Sequence, residues 1–405
     1  MSELIMRRPA SIPWAIAFLC PVFLPSCQGD DSSLPLVVQR DSAGIQIVEA
    51  MRPLWGDSSR WSIDPGPLVD LTLTGSGPAH EFYRVGSMKQ RPDGSLMLAN
   101  RSSEEVRMYS ATGEFLGSFG REGDGPGEFR GLRVIENAGD NLLAMDSDGR
   151  VTVVAPDLTV VRTISIPPFT LNLHYLDTGA ILPEPQGLIL PPAGVVGRIR
   201  PPVPLILFDL QGEQIDSIGE MQGPELHLHV QEGFSGFVPI YFGKASHVAT
   251  FGQRIFRGSN DAMQVEELDM SGNLVRILRI PGYPLALSNA QIAAERDLVL
   301  GRGPPGSTSP FRQALENAPA SDTRPAFTDI LIDPSGAVWL QLHRGEGEQD
   351  QPEEWLVLDA DGTWLGTVGI PDRFTVSDIT MDAVLGDWED ELDVEHPQVL
   401  RLTRN

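Results

Sequence analysis

Two histidines in one short apolar segment are the first residues whose type and spacing suit metal binding. The segment runs Glu225-Leu-His227-Leu-His229, so in a strand both imidazoles lie on the same face. Imidazole nitrogen is a common zinc ligand, and His174 and His247 are further histidines that folding could bring near. A polar strand face without metal is the favoured interpretation. Zinc at His227 and His229 is kept as its alternative.

An acidic run near the C-terminus offers the oxygen ligands that calcium prefers. Residues 388–396 read Trp-Glu-Asp-Glu-Leu-Asp-Val-Glu-His and fall in a predicted loop, with Asp390 and Asp393 as candidate ligands. The run lacks the Asp-x-Asp-x-Asp-Gly pattern of a calcium loop, which favours a solvated acidic loop. We therefore expect no cofactor, and keep calcium and zinc as the alternatives.

Local catalytic motifs are missing from the sequence. It contains neither the Gly-x-Ser-x-Gly of a hydrolase elbow nor the His-Glu-x-x-His of a zinc protease. The glycine-rich run 120–127 lacks the Gly-Lys-Ser/Thr ending of a phosphate loop. Its glycines are instead predicted to supply positive φ in a tight connection. Catalytic residues are unknown from the sequence alone.

The charge balance excludes one class of partner. Thirty Lys and Arg stand against 55 Asp and Glu, a formal charge of −25. Phosphate binding needs clustered basic residues, so no nucleic-acid partner is expected.

The first 27 residues have the features of an export signal. Arg7 and Arg8 precede an apolar stretch over 12–24 that is too short and too interrupted by proline to span a bilayer. Leu24-Pro-Ser-Cys27 then resembles a bacterial lipobox, which predicts lipidation of Cys27. An ordinary cleaved signal is the alternative. Residues 28–40 are predicted to be a flexible tether to the membrane.

The elements that must position any site are short strands. Residues 75–82 and 123–129 each contain Gly-x-Gly-Pro followed by Glu-Phe, with β-like runs on both sides, and Gly77 and Gly125 lie 48 residues apart. A period of 40–50 residues built from short strands is typical of propeller blades. Glycine turns recur between the predicted strands. They are centred on Gly94, Gly139, Gly179, Gly252 and Gly336, and on Gly113, Gly212, Gly272 and Gly362.

These turns predict an all-β, six-bladed β-propeller over residues 41–405. Five blades are predicted at 83–120, 129–168, 171–220, 243–282 and 326–370. The tail has room for only three strands, so an N-terminal strand near 61–74 is expected to complete the sixth blade and close the ring. A helical insertion at 284–325, between blades 4 and 5, is predicted to cap one end of the channel. Its helix starts after Ser288.

The blade junction supplies a resemblance. Residues 119–129, Phe-Gly-Arg-Glu-Gly-Asp-Gly-Pro-Gly-Glu-Phe, resemble the junctions of bacterial six-bladed β-propeller proteins of the NHL and TolB-like group. Residues 41–49 and 385–394 are similar to the ends of such secreted proteins. The resemblance implies fold and secretion, and it implies no particular activity because propellers host unrelated functions.

The function expected from the sequence is binding. We expect a protein secreted across the inner membrane and anchored through Cys27 at the cell envelope, facing the periplasm or in the outer membrane. It would bind an envelope protein or a small molecule on the face near 287–325. We favour this non-enzymatic role. The alternative is a metal-assisted hydrolase or lyase, of the lactonase kind, with its site in the central channel.

Overall fold

The computed structural model describes residues 35–56, 58–167, 170–185, 196–231, 234–302, 309–348 and 351–405. Cys27, the leader and most of the predicted tether lie outside these residues. Within them, no helix has the length and apolar character that crossing a membrane requires. Val37 begins a strand, so the last four residues of the predicted tether are part of the folded body.

Twenty-nine strands make up most of this part of the chain. The first fifteen are β1 Val37–Ser42, β2 Ile45–Ala50, β3 Trp61–Asp70, β4 Val85–Gln90, β5 Leu96–Asn100, β6 Glu105–Tyr109, β7 Phe115–Phe119, β8 Leu132–Ala138, β9 Asn141–Asp146, β10 Arg150–Val154, β11 Val160–Ser165, β12 Thr170–Tyr175, β13 Ile181–Pro185, β14 Gly197–Ile199 and β15 Pro202–Phe208. The others are β16 Gln214–Gln222, β17 Leu226–Gln231, β18 Phe234–Pro239, β19 Ser246–Phe251, β20 Arg254–Ser259, β21 Gln264–Leu268, β22 Leu274–Arg279, β23 Phe327–Ile332, β24 Val338–Leu342, β25 Glu354–Leu358, β26 Trp364–Gly369, β27 Phe374–Ile379, β28 Ala383–Glu389 and β29 Glu395–Arg404.

Most of these strands form antiparallel four-stranded sheets, which is a β-propeller-like pattern. In chain order, the first sheet is β4–β7, the second β8–β11, the third β12, β13, β15 and β16, the fourth β19–β22, and the fifth β23–β26. The sixth sheet combines β27, β28 and β29 with β3, which pairs antiparallel with β29. The first strands of these sheets contact one another in the cyclic order β4, β8, β12, β19, β23, β27 and back to β4.

Glycine conformation explains the turns between the strands. All nine predicted turn glycines have positive φ, from +60° at Gly139 to +88° at Gly362. Glycine adopts this region without the steric cost of a Cβ. The turn before β11 has no glycine, and Leu158 takes φ +67° instead. In the run 120–127, Gly120 has φ +100°, and a Cβ there would lie 2.6 Å from the Glu104 carbonyl oxygen. Gly123 and Gly127 also have positive φ, as predicted for that run, whereas Gly125 does not.

Two additions extend the sheets. The hairpin β1–β2 joins the fourth sheet, where β2 runs parallel to β22. A small sheet of β14, β17 and β18 branches from the third. The sequence pattern indicated neither pairing.

The two helices lie between β22 and β23. Helix α1 spans Asn289–Gly301, and a reciprocal capping box of Ser288 and Gln291 fixes its start. Helix α2 spans Pro310–Glu316. Apolar residues of this insertion pack on Val238, Tyr241 and Phe242. Its position over a channel end stays a prediction.

The hydrophobic core is divided among the spaces between consecutive sheets. Phe256 and Leu278 of the fourth sheet pack with Phe327 and Leu356 of the fifth. The same holds between the sixth and first sheets, where buried residues of β28 and β29 meet those of β4 and β5. Burying one face of each sheet against the next stabilises the arrangement without a single central core.

Candidate functional site

Ionisable side chains from the first strands of the six sheets define the first candidate site, which we call the axial cluster. Its members are Lys89 on β4, Glu136 on β8, His174 on β12, His247 on β19, Asp329 on β23 and Asp378 on β27, together with Glu184 on β13. Contacts between consecutive first strands bring these residues near one another. Ionisable groups in such an enclosed position are costly unless they are paired or bind something.

One half of the axial cluster is fully paired. Lys89 Nζ lies 3.1 Å from Glu136 Oε2 and 3.4 Å from Asp378 Oδ1. Burial alone would lower the pKa of Lys89, but the two carboxylates outweigh it and raise that pKa above its usual value. The ammonium group therefore stays charged, and this half is a closed ion-pair triad.

The other half is built around the buried carboxylate of Glu184. His174 Nε2 lies 3.6 Å from Glu184 Oε2, and His247 Nδ1 lies 3.9 Å from Glu184 Oε1. Burial lowers the pKa of His247, which keeps its imidazole neutral. Burial, with the nearby charge of Glu184, raises the pKa of Asp329 to about 7. This half therefore combines two imidazoles and two carboxyl groups, and the charge of Lys89 also acts on Asp329.

A second candidate site is a cavity of about 290 Å³ at the two ends of the helical insertion. We call it the insertion pocket. Its walls are Tyr283, Pro284, Leu285, Ala286, Arg324, Pro325, Ala326, Leu342, His343, Arg344, Glu348, Gln351, Pro352 and Glu354. The Arg324 backbone N–H donates to the Leu285 carbonyl oxygen at 2.8 Å, so the ends of the insertion are tied together at the pocket. The pocket is therefore a preformed feature of the fold.

The charges in the insertion pocket are largely internally paired. Arg324 donates two hydrogen bonds of 2.9 Å to the carboxylate of Glu348, a bidentate arrangement. Arg344 donates to Glu353 at 3.2 Å. Burial, followed by the charge of Arg324, lowers the pKa of His343 to about 4, so its imidazole is neutral. The pocket offers directed polar groups rather than net charge.

A third feature is a group of three carboxylates in the sixth sheet. Among the described residues, Asp387, Glu389 and Glu395 are the group whose metal-ligating atoms all lie within 4.8 Å of one another. Burial, and then the charges of Glu395 and Glu389, raise the pKa of Asp387 to about 8. A proton held by Asp387 thus reduces the electrostatic repulsion among the three carboxyl groups.

The histidines predicted from the sequence are divided between two places. His174 and His247 share Glu184, whereas His227 and His229 lie on β17 with ring centroids 5.9 Å apart. Burial lowers the pKa of His227. Among the described residues, neither His227 nor His229 belongs to a group of three or more closely spaced metal-ligating side chains. Their binding of zinc stays a prediction.

The predicted calcium ligands have structural partners. Asp390 Oδ1 accepts the backbone N–H groups of Leu392 at 2.7 Å and Val394 at 2.9 Å, which fixes the β28–β29 turn. Asp393 accepts a hydrogen bond of 2.7 Å from Arg373. The three-carboxylate group of Asp387, Glu389 and Glu395 lies beside this turn in sequence but does not include either residue. Calcium binding by Asp390 and Asp393 stays a prediction.

Sequence reasoning missed most of the axial cluster, although a signal was present. Lys89, Glu136, His174 and Asp378 are each the fifth residue of the first strand in their sheet. The recurring ionisable position is seen when these first strands are aligned by the starting residues that the structure gives them.

Comparisons with known proteins agree with the fold. No protein-family model matches the chain, and no curated protein matches it. A "putative exported protein" from Bacteroides fragilis is 11% identical, with a TM-score of 0.52 over 89% of this chain and 99% of that one. A member of the DUF4221 family from Bacteroides vulgatus is 12% identical, with a TM-score of 0.51 over 85% and 98%. At these identities the similarity shows the fold alone, which is β-propeller-like.

Proposed function

We propose that this protein is an exported, lipid-anchored, six-bladed β-propeller that binds a small ligand at the bacterial cell envelope. In this proposal the six sheets are the blades, and the pairing of β29 with β3 closes the ring. The core between the sixth and first sheets supports closure. Export is supported by the leader at 1–27 and by the description of the Bacteroides fragilis neighbour.

The insertion pocket is the observation that carries the binding role. Its volume of about 290 Å³ is near the lower end of small-molecule sites. Tyr283, Leu285 and Leu342 supply apolar wall, and Gln351 supplies an amide. Since Arg324 and Arg344 are each neutralised by a carboxylate, the pocket suits a polar ligand without strong net charge. Free amino acids, dipeptides and small sugars have that chemistry.

Ligand-dependent thermal stabilisation tests this role. We expect at least one member of a panel of amino acids, dipeptides and mono- and disaccharides to raise the Tm of the purified chain, because a ligand that binds only the folded state stabilises it. Leu285→Trp fills the pocket and should abolish the increase. Leu298→Trp is the matched control, since Leu298 lies on α1, is 44% exposed and is not part of the pocket wall.

Two outcomes would count against this proposal. Equal stabilisation of Leu285→Trp and the wild type would put the ligand elsewhere. Absence of stabilisation across the whole panel would argue against a small neutral ligand.

The axial cluster favours a second candidate function, a metal-assisted hydrolase or lyase. His174 and His247 both lie near the Glu184 carboxylate there, and imidazole and carboxyl groups can bind metals and transfer protons. Turnover of a lactone and ester panel that is abolished by a chelator and by Glu184→Gln would favour the enzyme over the binding module.

A further inference from the structure

We propose that a groove along one rim of the fifth and sixth sheets binds an extended, basic peptide segment, one end of which lies in the insertion pocket. We call this surface the rim groove. The inference rests on the proposed binding function and extends it from a single pocket to a longer ligand of defined charge.

Strand topology places the loops of the rim groove at one end of their sheets. Neighbouring strands of the fifth and sixth sheets are antiparallel, so alternate connections lie at the same end. The helical insertion and the β24–β25, β26–β27 and β28–β29 connections all lie at that end. The β26–β27 connection has only four residues, 370–373, and joins the two sheets directly. These loops therefore lie side by side on one rim.

Two further cavities adjoin the insertion pocket along this rim. The first, of about 240 Å³, shares Arg344 with the insertion pocket. The second, of about 430 Å³, shares Pro371, Asp372 and Phe374 with the first. Since each cavity has a wall in common with the next, the three follow one another along the rim. A ligand that occupies all three must be extended, as a peptide segment is.

The charges of the rim groove favour a basic ligand. The arginines of its walls are each paired with a carboxylate, as Arg324–Glu348, Arg344–Glu353 and Arg373–Asp393. Glu354 and Asp372 are exposed wall residues, and in the described part of the chain neither carboxylate has a hydrogen-bond or ion-pair partner. Two unpaired carboxylates complement Lys and Arg side chains. The formal charge of −25 adds long-range attraction for the same partner.

The far end of the rim groove adds an aromatic and proline surface. Trp388 and Phe374 line the second cavity together with Pro65 and Pro67 of β3. Phe374 is buried, whereas both prolines are exposed. The stems of Lys and Arg pack on such surfaces, and an indole ring attracts their charged ends. With Asp372 in the same wall, this end suits a basic side chain better than a neutral sugar or an acidic group.

Fluorescence anisotropy of the purified protein with a labelled heptapeptide of alternating Lys and Ala tests the rim groove. We expect saturable binding at an ionic strength of about 0.15 M, where the attraction of distant charges is largely screened. Asp372→Lys should weaken binding by about fivefold or more, because it puts a like charge beside a basic side chain. Glu114→Lys is the matched control. It makes the same charge change at an exposed residue between β6 and β7, and it should leave the affinity unchanged.

Two further probes need no protein variant that could misfold. The same heptapeptide with acetylated lysines should not bind, and spermine, a basic molecule without a peptide backbone, should not displace the peptide at equal concentration. Equal weakening by Asp372→Lys and Glu114→Lys, equal binding of the acetylated peptide, or displacement by spermine would overturn the inference.

The inference and the proposed function can fail separately. Asp372 is not part of the insertion-pocket wall, so Asp372→Lys should keep any stabilisation by the small-ligand panel. If a panel member stabilises the wild type but the basic peptide does not bind, the rim groove is overturned and the pocket keeps its role. If the peptide binds and Asp372→Lys weakens it while no panel member stabilises the protein, the rim groove is supported and the small neutral ligand is wrong.

Discussion

At the scale of single residues, the same side-chain type serves different purposes in neighbouring positions. The Asp390 carboxylate accepts hydrogen bonds from two backbone N–H groups of its turn. Three other turns have the same arrangement, at Asp209, Asp269 and Asp359. Asp387, three residues earlier, has a buried Oδ1 atom with no hydrogen-bond partner and faces Glu389 and Glu395. Local sequence does not distinguish these two roles.

The raised pKa of Asp387 predicts a pH effect on stability. Its pKa is about 8 in the folded protein against 3.8 ordinarily, so between pH 4 and 8 the folded state holds a proton that the unfolded state lacks. Stability from this group is therefore complete below about pH 4 and is lost as pH rises to about 8. Asp387→Asn should raise the Tm relative to wild type more at pH 9 than at pH 5, by about 1–3 °C.

Differential scanning calorimetry at the two pH values measures this difference. Glu389, Glu395 and Asp70 are the charges that act on Asp387. Asp393→Asn, in the adjoining β28–β29 turn, is the control and should change the Tm equally at both pH values. If Asp387→Asn changes the Tm equally at pH 5 and pH 9, the carboxyl group of the wild-type Asp387 is not protonated in the folded state.

At the scale of elements, β3 is the strand on which the sixth sheet most depends. It is separated from β29 by more than 300 residues of sequence, yet the two strands pair from Trp61 with Arg404 to Asp70 with Gln398. Trp61 adds ring contacts of 5.3 Å to Trp55 and 5.7 Å to Trp339. Without β3, the edge of β29 would be left unpaired.

Deleting residues 60–75 should therefore cause aggregation or a large loss of thermal stability. The deletion removes the strand and the fully buried Leu71. Deleting 28–34, which leaves β1 whole, is the control and should leave the Tm unchanged. Thermal melts followed by circular dichroism make the comparison. A 60–75 deletion that still unfolds cooperatively at the wild-type temperature would contradict the role of β3.

At the scale of the whole molecule, the folded body begins close to the predicted lipidation site. β1 starts at Val37, so only nine residues, 28–36, separate Cys27 from the first strand. In the proposed lipid-anchored form, a tether of that length would hold the body near the membrane surface. This gives the proposed envelope location a direct physical test.

Cys27→Ser should release the protein from membranes into the soluble fraction. A single acyl chain binds a bilayer only marginally, whereas the several chains of a lipidated N-terminal cysteine anchor firmly. Fractionation of cells expressing each form, followed by immunoblotting, measures the partition. Cys20→Ser is the matched control and should stay with the membrane. Unchanged partitioning of Cys27→Ser would exclude lipidation as the anchor.

The sequence by itself determined the local features of this protein. The turn glycines at Gly94, Gly113 and Gly362 and the helix start at Ser288 were predictable because each depends on backbone chemistry within a few residues. The five predicted blade ranges likewise begin and end within three residues of five observed sheets, since turns of this kind fix where strands begin and end.

Only the tertiary structure decided which distant side chains meet. His174 and His247 could be named as histidines, but their shared contact with Glu184 depends on the register of three strands and on the order of two sheets. The parallel addition of β2 to β22 is equally long-range. Sheet adjacency is set by burying apolar faces between sheets, a sum over many residues that no local motif encodes.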